Sequence, residues 1–342
     1  MKRARPLRIG LVLALGLLVV VASVLLSCAL GPQPISIRAA LAGVDPDRAI
    51  LLHLRLPRAI LAALVGASLA TAGAALQAML RNPLADPFVL GVSGGAALGG
   101  SLVLLAAEAA SQLFHAGGFL GGAPPVALGA VLGAVGATAL VFALGRVGGR
   151  LVPQSALLVG VIFNAFVIGV IGVLKILVRP EQSARLLYWL EGTIGYETST
   201  TITVGGCFIG ASVLALVALS ARLNLLALGD EEAASLGVEV TRSRAAVFFA
   251  ASAATGAAVS LAGMVGFVGL IVPHLVRAVT GPDHRLLVPA SALFGAAFLV
   301  LADTGARMAF LWIGTEPPVG ALTALIGGPV FLWMLRRSTR KA

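Results

Sequence analysis

Charge is scarce in this 342-residue chain. Asp, Glu, Lys and Arg make up 11% of it, whereas a globular domain carries about a quarter. A conventional soluble fold is excluded. Lysine is scarcer still: Lys2, Lys175 and Lys341 are the only three. None belongs to a GxxxxGK pattern followed by Ser or Thr, so there is no nucleotide-binding P-loop. Two cysteines, Cys28 and Cys207, support neither a disulfide framework nor a metal site. The four histidines, His53, His115, His274 and His284, are dispersed without metal-ligand spacing. No nucleophile–base pair is visible. No carboxylate lies near the middle of an apolar run, whereas a proton- or sodium-coupled carrier keeps ionisable groups in its path. The chain shows no energy source and no catalytic residue of its own.

What it has is apolar residues in long runs. Hydrophobic residues make up 59% of the sequence, gathered into runs of roughly 17–25, the length a bilayer-crossing helix needs. The runs predict ten spans, at about 9–30, 58–79, 91–107, 124–145, 153–177, 200–220, 245–262, 264–280, 287–308 and 318–335. They are continuous rather than alternating, which selects helices over a barrel. The expected fold is all-α, a single polytopic transmembrane domain over residues 1–342 with about ten transmembrane helices. The start, MKRARPLR, and the Cys28 that closes the first run resemble a secretory or lipoprotein signal. The run from Ile9 to Leu30 is longer than the usual apolar region of a signal, and Leu26 is a poor residue near a cleavage site. The reading is an uncleaved first span.

With the N-terminus inside, sixteen of the 24 basic residues fall on the inside: Lys2, Arg3, Arg5, Arg8, Arg81, Arg146, Arg150, Arg222, Arg242, Arg244, Arg277, Arg285, Arg336, Arg337, Arg340 and Lys341. Arg38, Arg48, Arg55, Arg58, Lys175, Arg179, Arg185 and Arg307 fall outside. This bias predicts that both termini are cytoplasmic. The net charge of +10 is then a topology signal and gives nucleic acid no role as a partner.

The longest stretches between spans are about 31–57 and 179–199 outside, and 221–244 inside. The first opens on the turn signal Gly31-Pro32-Gln33-Pro34 and continues as short amphipathic pieces. Two four-span blocks, about 58–177 and 245–335, flank the sixth span and the inside loop. Each block holds an interrupted hairpin, RNPLADPFVLGVSGGA in the first and VGFVGLIVPHLVRAVTGPDHR in the second. Paired interruptions in two halves are the sequence sign of an inverted repeat.

The inside loop contains a short acidic helix. Gly229 and Asp230 can start it, because an Asp side chain accepts orphan N–H groups. Glu231 and Glu232 suit the positive end of its dipole. Ala233, Ala234, Ser235 and Leu236 continue it, and Gly237 supplies a left-handed stop. About two turns are too short to span anything, so the helix reads as a cytoplasmic handle. In span two, Gly66, Ala67, Ser68, Ala70, Ala72, Gly73, Ala74 and Ala75 suit close helix packing. The following RNPLADP places Asn82 and Asp86 before prolines, forcing an irregular turn that is either a connector or a gate. Arg55, Arg58 and Arg307 run against the inside bias. Arg307 can pair with Asp303 one turn earlier, or the three can dock an acidic partner. Tyr188, Trp189 and Tyr196 share one outer loop, as an interfacial belt or as a contact with cargo or partner.

Several long stretches carry a family resemblance: residues 55–96, LLALGDEEAASLGV at 225–238, residues 261–307, and EPPVGALTALIGGPVFLWML at 316–335. The chain resembles the FecCD-type permeases, the membrane subunits of ATP-driven importers for iron–siderophores, haem and cobalamin. The resemblance runs nearly end to end. It implies a permease subunit of the bacterial inner membrane that forms the translocation pathway for a metal chelate or cobamide. It implies a second permease copy, two cytoplasmic ATPase subunits, a periplasmic or lipid-anchored binding protein, and lipid around the assembly. ATP and Mg would sit on the ATPase, with no cofactor in this chain. Residues 229–237 would be the coupling helix seated on the ATPase. Arg55, Arg58 and Arg307 match arginines that receive acidic residues of the binding protein. Asn82, Pro83 and Leu84 match a cytoplasmic gate. The outer loop 181–199, Glu191 included, departs from the family pattern. The alternative is a stand-alone secondary transporter or channel, disfavoured by the missing mid-span carboxylates and the acidic handle.

Overall fold

A computed structural model describes residues 6–114, 123–148 and 150–339 of the chain. Lys2, Arg3, Arg5, His115, Arg340 and Lys341 lie outside the described residues. Ten long helices answer to the ten predicted runs: α1 (Pro6–Ala29), α2 (Leu56–Met79), α3 (Val92–Phe114), α4 (Ala123–Leu144), α5 (Pro153–Leu177), α6 (Ser199–Ala218), α7 (Val240–Ala262), α8 (Val268–Thr280), α9 (His284–Ile313) and α10 (Val319–Thr339). Seven are long and apolar enough to cross a membrane, and α3, α8 and α10 supply shorter apolar segments. The chain is a multi-pass, all-helical membrane protein. Among the described residues the strands are limited to a two-residue antiparallel pair, Arg146–Val147 with Arg150–Leu151, that turns the chain from α4 into α5. Before α2 the outer segment forms a one-turn helix at Ile37–Leu41 and a π-turn at Ile50–Arg55 that runs straight into the span. Pro57 sits where the π-turn meets α2, in line with a change of hydrogen-bond register at that point.

The core is built around α2. Within the apolar stretch of α2, 78% of residues are buried, against 11% for α1 and 17% for α5 and α6. Helices in lipid gain little from burying apolar side chains against one another, so close backbone approach has to hold them together. Glycine permits it. A side chain on Gly73 of α2 would collide with the Gly269 carbonyl of α8, and one on Gly66 with the Gly295 carbonyl of α9. In the first block Gly95 and Gly99 of α3 meet Gly133 and Gly129 of α4 in the same way. Polar ties supplement the packing. Ser68 Oγ donates to the Ala254 carbonyl at 2.8 Å, joining α2 to α7. Gln77 Nε2 donates to the Gly269 carbonyl at 3.1 Å, and Arg277 of α8 donates back to Gln77 Oε1 at 3.1 Å.

The two four-span blocks pack by one scheme. Helix α2 lies against α7, α8 and α9, while α7 lies against α2, α3 and α4. Each block is broken at the same place, after its first helix. The first break covers residues 80–91 and contains Gly91 at φ 80°; the second covers 263–267, with Gly263 at φ 66° and Phe267 at φ 67°. The two blocks thus share a pattern of helix contacts and of breaks.

The Gly73–Gly269 crossing gives a direct test. Gly73→Val should force α2 and α8 apart and destabilise the protein by at least about 2 kcal/mol. Gly136 of α4 has open space where its side chain would go, so Gly136→Val should stay within about 0.5 kcal/mol of the parent. Thermal unfolding in detergent, followed by the loss of the monodisperse peak, reads both.

Candidate functional site

The described residues bring sequence-predicted groups together in two clusters and add a third that the sequence did not announce. The first is the acidic handle. A helix at Ser220–Leu226 leads into a six-residue helix, Asp230–Ser235. Gly229 occupies the cap position at φ 144°, and a side chain there would run into the Glu232 carboxylate. Gly237 ends the helix at φ 83°, its N–H bonded to the Ala234 carbonyl at 2.9 Å. Glu231, Glu232, Ala234, Ser235 and Leu236 face outward, while Ala233 is buried. One expectation needs correcting: Asp230 does not cap the helix. It is the first helical residue, and its Oδ1 accepts from Arg244 Nη2 at 2.7 Å. The buried guanidinium of Arg244 needs a counter-charge more than an exposed N–H needs a cap. Arg244 also donates to the Leu151 carbonyl at 2.8 Å.

The Asn82–Leu84 turn belongs to the same cluster. Asn82 Oδ1 accepts the Leu84 N–H at 2.9 Å, and the Asn82 N–H returns to the Gln77 carbonyl at 3.1 Å. Pro83 and Leu84 are exposed. Arg81, just before the turn, holds a left-handed backbone at φ 50° and places Nη2 3.7 Å from Asp230 Oδ1. Asp230 therefore links the handle, the start of α7 and the end of α2.

The three arginines that run against the basic bias form the second cluster, and they are buried rather than presented at the surface. Arg55, Arg58 and Arg307 are only 5%, 5% and 3% exposed. Arg58 grips Asp303 with two nitrogens, Nη2 at 2.8 Å and Nε at 3.1 Å. It also bonds to Glu316 and lies 5.3 Å from the centre of the Tyr196 ring. Arg307 Nη2 donates to Ser27 Oγ at 2.5 Å. Its Nε sits 3.3 Å from Asp303 Oδ2 in a pair that lacks hydrogen-bond alignment, so the attraction is Coulombic alone. Arg55 donates to the carbonyls of Cys28 at 2.8 Å and Ala29 at 3.0 Å, and to that of Gln33. The predicted Asp303–Arg307 pair exists, but the better-aligned partner of Asp303 is Arg58, 245 positions away. Sequence spacing reveals only the local pair.

The third cluster is a hollow of about 900 Å³ bounded by both block interruptions. Asp86 and Phe88 come from the first break, and Met264, Gly266 and Phe267 from the second. Glu191 of the outer loop and Gly320 of α10 complete the rim. Glycine lets these backbones cross. The Thr193 N–H reaches the Ala262 carbonyl at 2.8 Å, and the Gly320 N–H reaches the Gly192 carbonyl at 3.0 Å. Side chains on Gly192, Gly263 or Gly320 would obstruct those crossings. In the first break, Asn164 of α5 donates to the Phe88 carbonyl, and Asp86 Oδ1 accepts the Phe88 N–H at 2.8 Å. Asp86 is 5% exposed, and burial pushes its pKa up to about 6 against the opposing pull of that N–H. The hollow could have been anticipated by placing the two interruptions side by side. The unassigned Glu191 was its one polar marker in the outer loop.

Arg58→Gln should leave Asp303 buried beside fewer cationic groups and cost about 3–5 kcal/mol. The pair Arg58→Gln with Asp303→Asn should recover at least about half of that loss. Thermal unfolding of the two variants in one detergent measures the difference.

The sequence profile of the FecCD transport family matches residues 17–337. The chain is 42% identical over 289 residues to the cobalamin import system permease protein BtuC of Halobacterium salinarum, covering 83% of this chain and 72% of that protein. It is 39% identical over 289 residues to the hemin transport system permease protein HmuU of Yersinia pestis, covering 84% and 83%. A solved structure described as an inward-facing conformation of a metal-chelate type ABC transporter superposes with a TM-score of 0.81 at 28% identity, covering 96% of this chain and 99% of that one.

Proposed function

We propose that this chain, which belongs to the FecCD transport family, is the membrane-spanning permease subunit of an ATP-driven importer for iron chelates, haem or cobalamin. The observation that carries the reading is the convergence of both block interruptions on one hollow. Non-helical backbone at membrane depth is tolerated where protein buries it or where it lines a cavity. Its occurrence at matching places in two blocks marks a transport path. The chain moves its cargo without catalysing a reaction.

The remaining parts of the assembly follow from this reading. A second copy of the chain faces the hollow and closes the pathway as a homodimer. Two cytoplasmic ATPase subunits carry ATP and Mg and grip the Gly229–Gly237 handle through its outward acidic face. A binding protein delivers cargo on the outer side of a bacterial inner membrane, with both termini of this chain in the cytoplasm. Asn82, Pro83 and Leu84 form the cytoplasmic gate, tied to the handle through Arg81 and Asp230. Arg55, Arg58 and Arg307 hold the outer mouth in the shape that the binding protein meets. An acidic residue of that protein reaches Arg58 by taking the place of Glu316, whose side chain is one-third exposed while that of Asp303 is enclosed.

Reconstitution of the chain with its ATPase and binding protein in proteoliposomes tests the function. ATP-dependent uptake of a chelate is expected, and uptake unchanged without the ATPase would favour a stand-alone carrier. The handle has its own test. Asp230→Asn keeps the shape of the side chain and removes the charge that holds Arg244 and Arg81. Chelate moved per ATP hydrolysed should fall at least about threefold while hydrolysis persists, since charge-assisted hydrogen bonds contribute about 1.5–3 kcal/mol. An unchanged ratio of transport to hydrolysis would remove Asp230 from the coupling path.

A further inference from the structure

The hollow carries information about its cargo. Its lining includes two carboxylates, Asp86 and Glu191, and no lysine, arginine or histidine. Neither carboxylate forms an ion pair among the described residues, and Asp86 is bonded through Oδ1 to the Phe88 N–H. The nearby cations are engaged elsewhere: Arg58 is held by Asp303 and Glu316, and Arg277 is turned to Gln77. The rest of the wall is apolar or small. Phe88, Met264, Phe267 and Leu270 offer broad apolar contact, and Gly266, Gly320, Ala321 and Ala324 leave room for a bulky guest. Among the described residues no three His, Cys, Asp or Glu side chains gather to hold a bare ion. The carboxylates therefore act on the outside of a chelate, and the metal stays with its chelator.

Resting on the permease reading, we infer that this hollow admits a bulky chelate with an apolar, uncharged or cationic periphery, and excludes multiply anionic chelates. The physical basis is Coulombic. A polyanion entering the hollow would lose its water and meet like charge with no counter-cation, where a reduced dielectric strengthens the repulsion several-fold over water. A neutral trihydroxamate complex or a corrinoid presents amide and alkyl surface to the same wall and meets no such penalty. Two copies facing one another would double the number of carboxylates along the path and sharpen the discrimination.

The test is equilibrium dialysis of radio-iron chelates against the permease–ATPase complex in nanodiscs, without the binding protein. The probes are a neutral ferric trihydroxamate and a trianionic ferric tris-catecholate. The neutral chelate should bind at least about tenfold more tightly than the trianion. Glu191→Gln alone, at an exposed position that cannot unfold the protein, should narrow the gap. Glu191→Gln with Asp86→Asn should bring it below about threefold by raising affinity for the trianion. Equal or tighter binding of the trianion to the parent would overturn the inference, as would an unchanged preference in the double variant. Binding of neither chelate would overturn the placement of cargo in this hollow. The permease reading fails separately, if the reconstituted transporter takes up no chelate of either class.

Discussion

Backbone hydrogen bonding is the constraint on which this structure depends. In lipid an unpaired N–H or C=O costs several kcal/mol, so the chain either stays helical or finds protein partners wherever it does not. The two breaks are satisfied in this way. The first break is held by Asn82, by Asn164 of α5 and by the Asp86 carboxylate. The second break and the start of α10 are bonded to the outer loop at Thr193 and Gly192. That loop is outside the bundle by topology yet serves its interior, because it supplies main-chain partners to helix ends that would otherwise lack them.

Close packing and buried charge then divide the labour of holding the bundle together. At the centre, α2 meets α8 and α9 through glycine pairs that bring carbonyls almost against Cα atoms. At the outer end, three arginines tie α1, α2, α9 and the segment before α10. Burying three guanidinium groups is costly, and only two carboxylates, Asp303 and Glu316, answer them. Backbone carbonyls and Ser27 satisfy the remaining donors, which suits the planar, five-donor guanidinium better than an ammonium. These arginines are thus used inside the bundle rather than at its surface.

The ten apolar helices were legible because each is a continuous apolar run, seven of them long enough for a bilayer, and the Gly237 stop because glycine adopts that backbone without strain. The shared pattern of the two blocks showed faintly, through interruptions rather than through matching residues. Asp230 was misread as a cap. Local pattern places an Asp at a helix start, but the pull of Arg244, fourteen positions on, appears only once α7 folds back. The pairing of Arg58, though not the residue, was hidden in the same way: its partners Asp303 and Glu316 lie about 250 positions downstream, and a lone arginine in a sequence carries no sign of them. The hollow was hidden because its walls come from four separated stretches, none of which is unusual by itself.

The central helix gives these distant parts a common member. Arg81 ends α2 beside the handle, and Gln77 and Gly73, one and two turns higher, hold the opening turn of α8. That turn begins at Phe267, which lines the hollow. At its other end α2 carries Arg58 into the outer cluster. The handle is thus joined to the Asn82–Leu84 turn through Asp230 and Arg81, and α2 is joined to the edge of the hollow through tight contacts at Gly73 and Gln77. Packed cores shift between discrete arrangements rather than stretch. The glycine contacts that hold α2 so closely thus also prevent it from yielding locally, and a helix that cannot yield must move as a body or not at all.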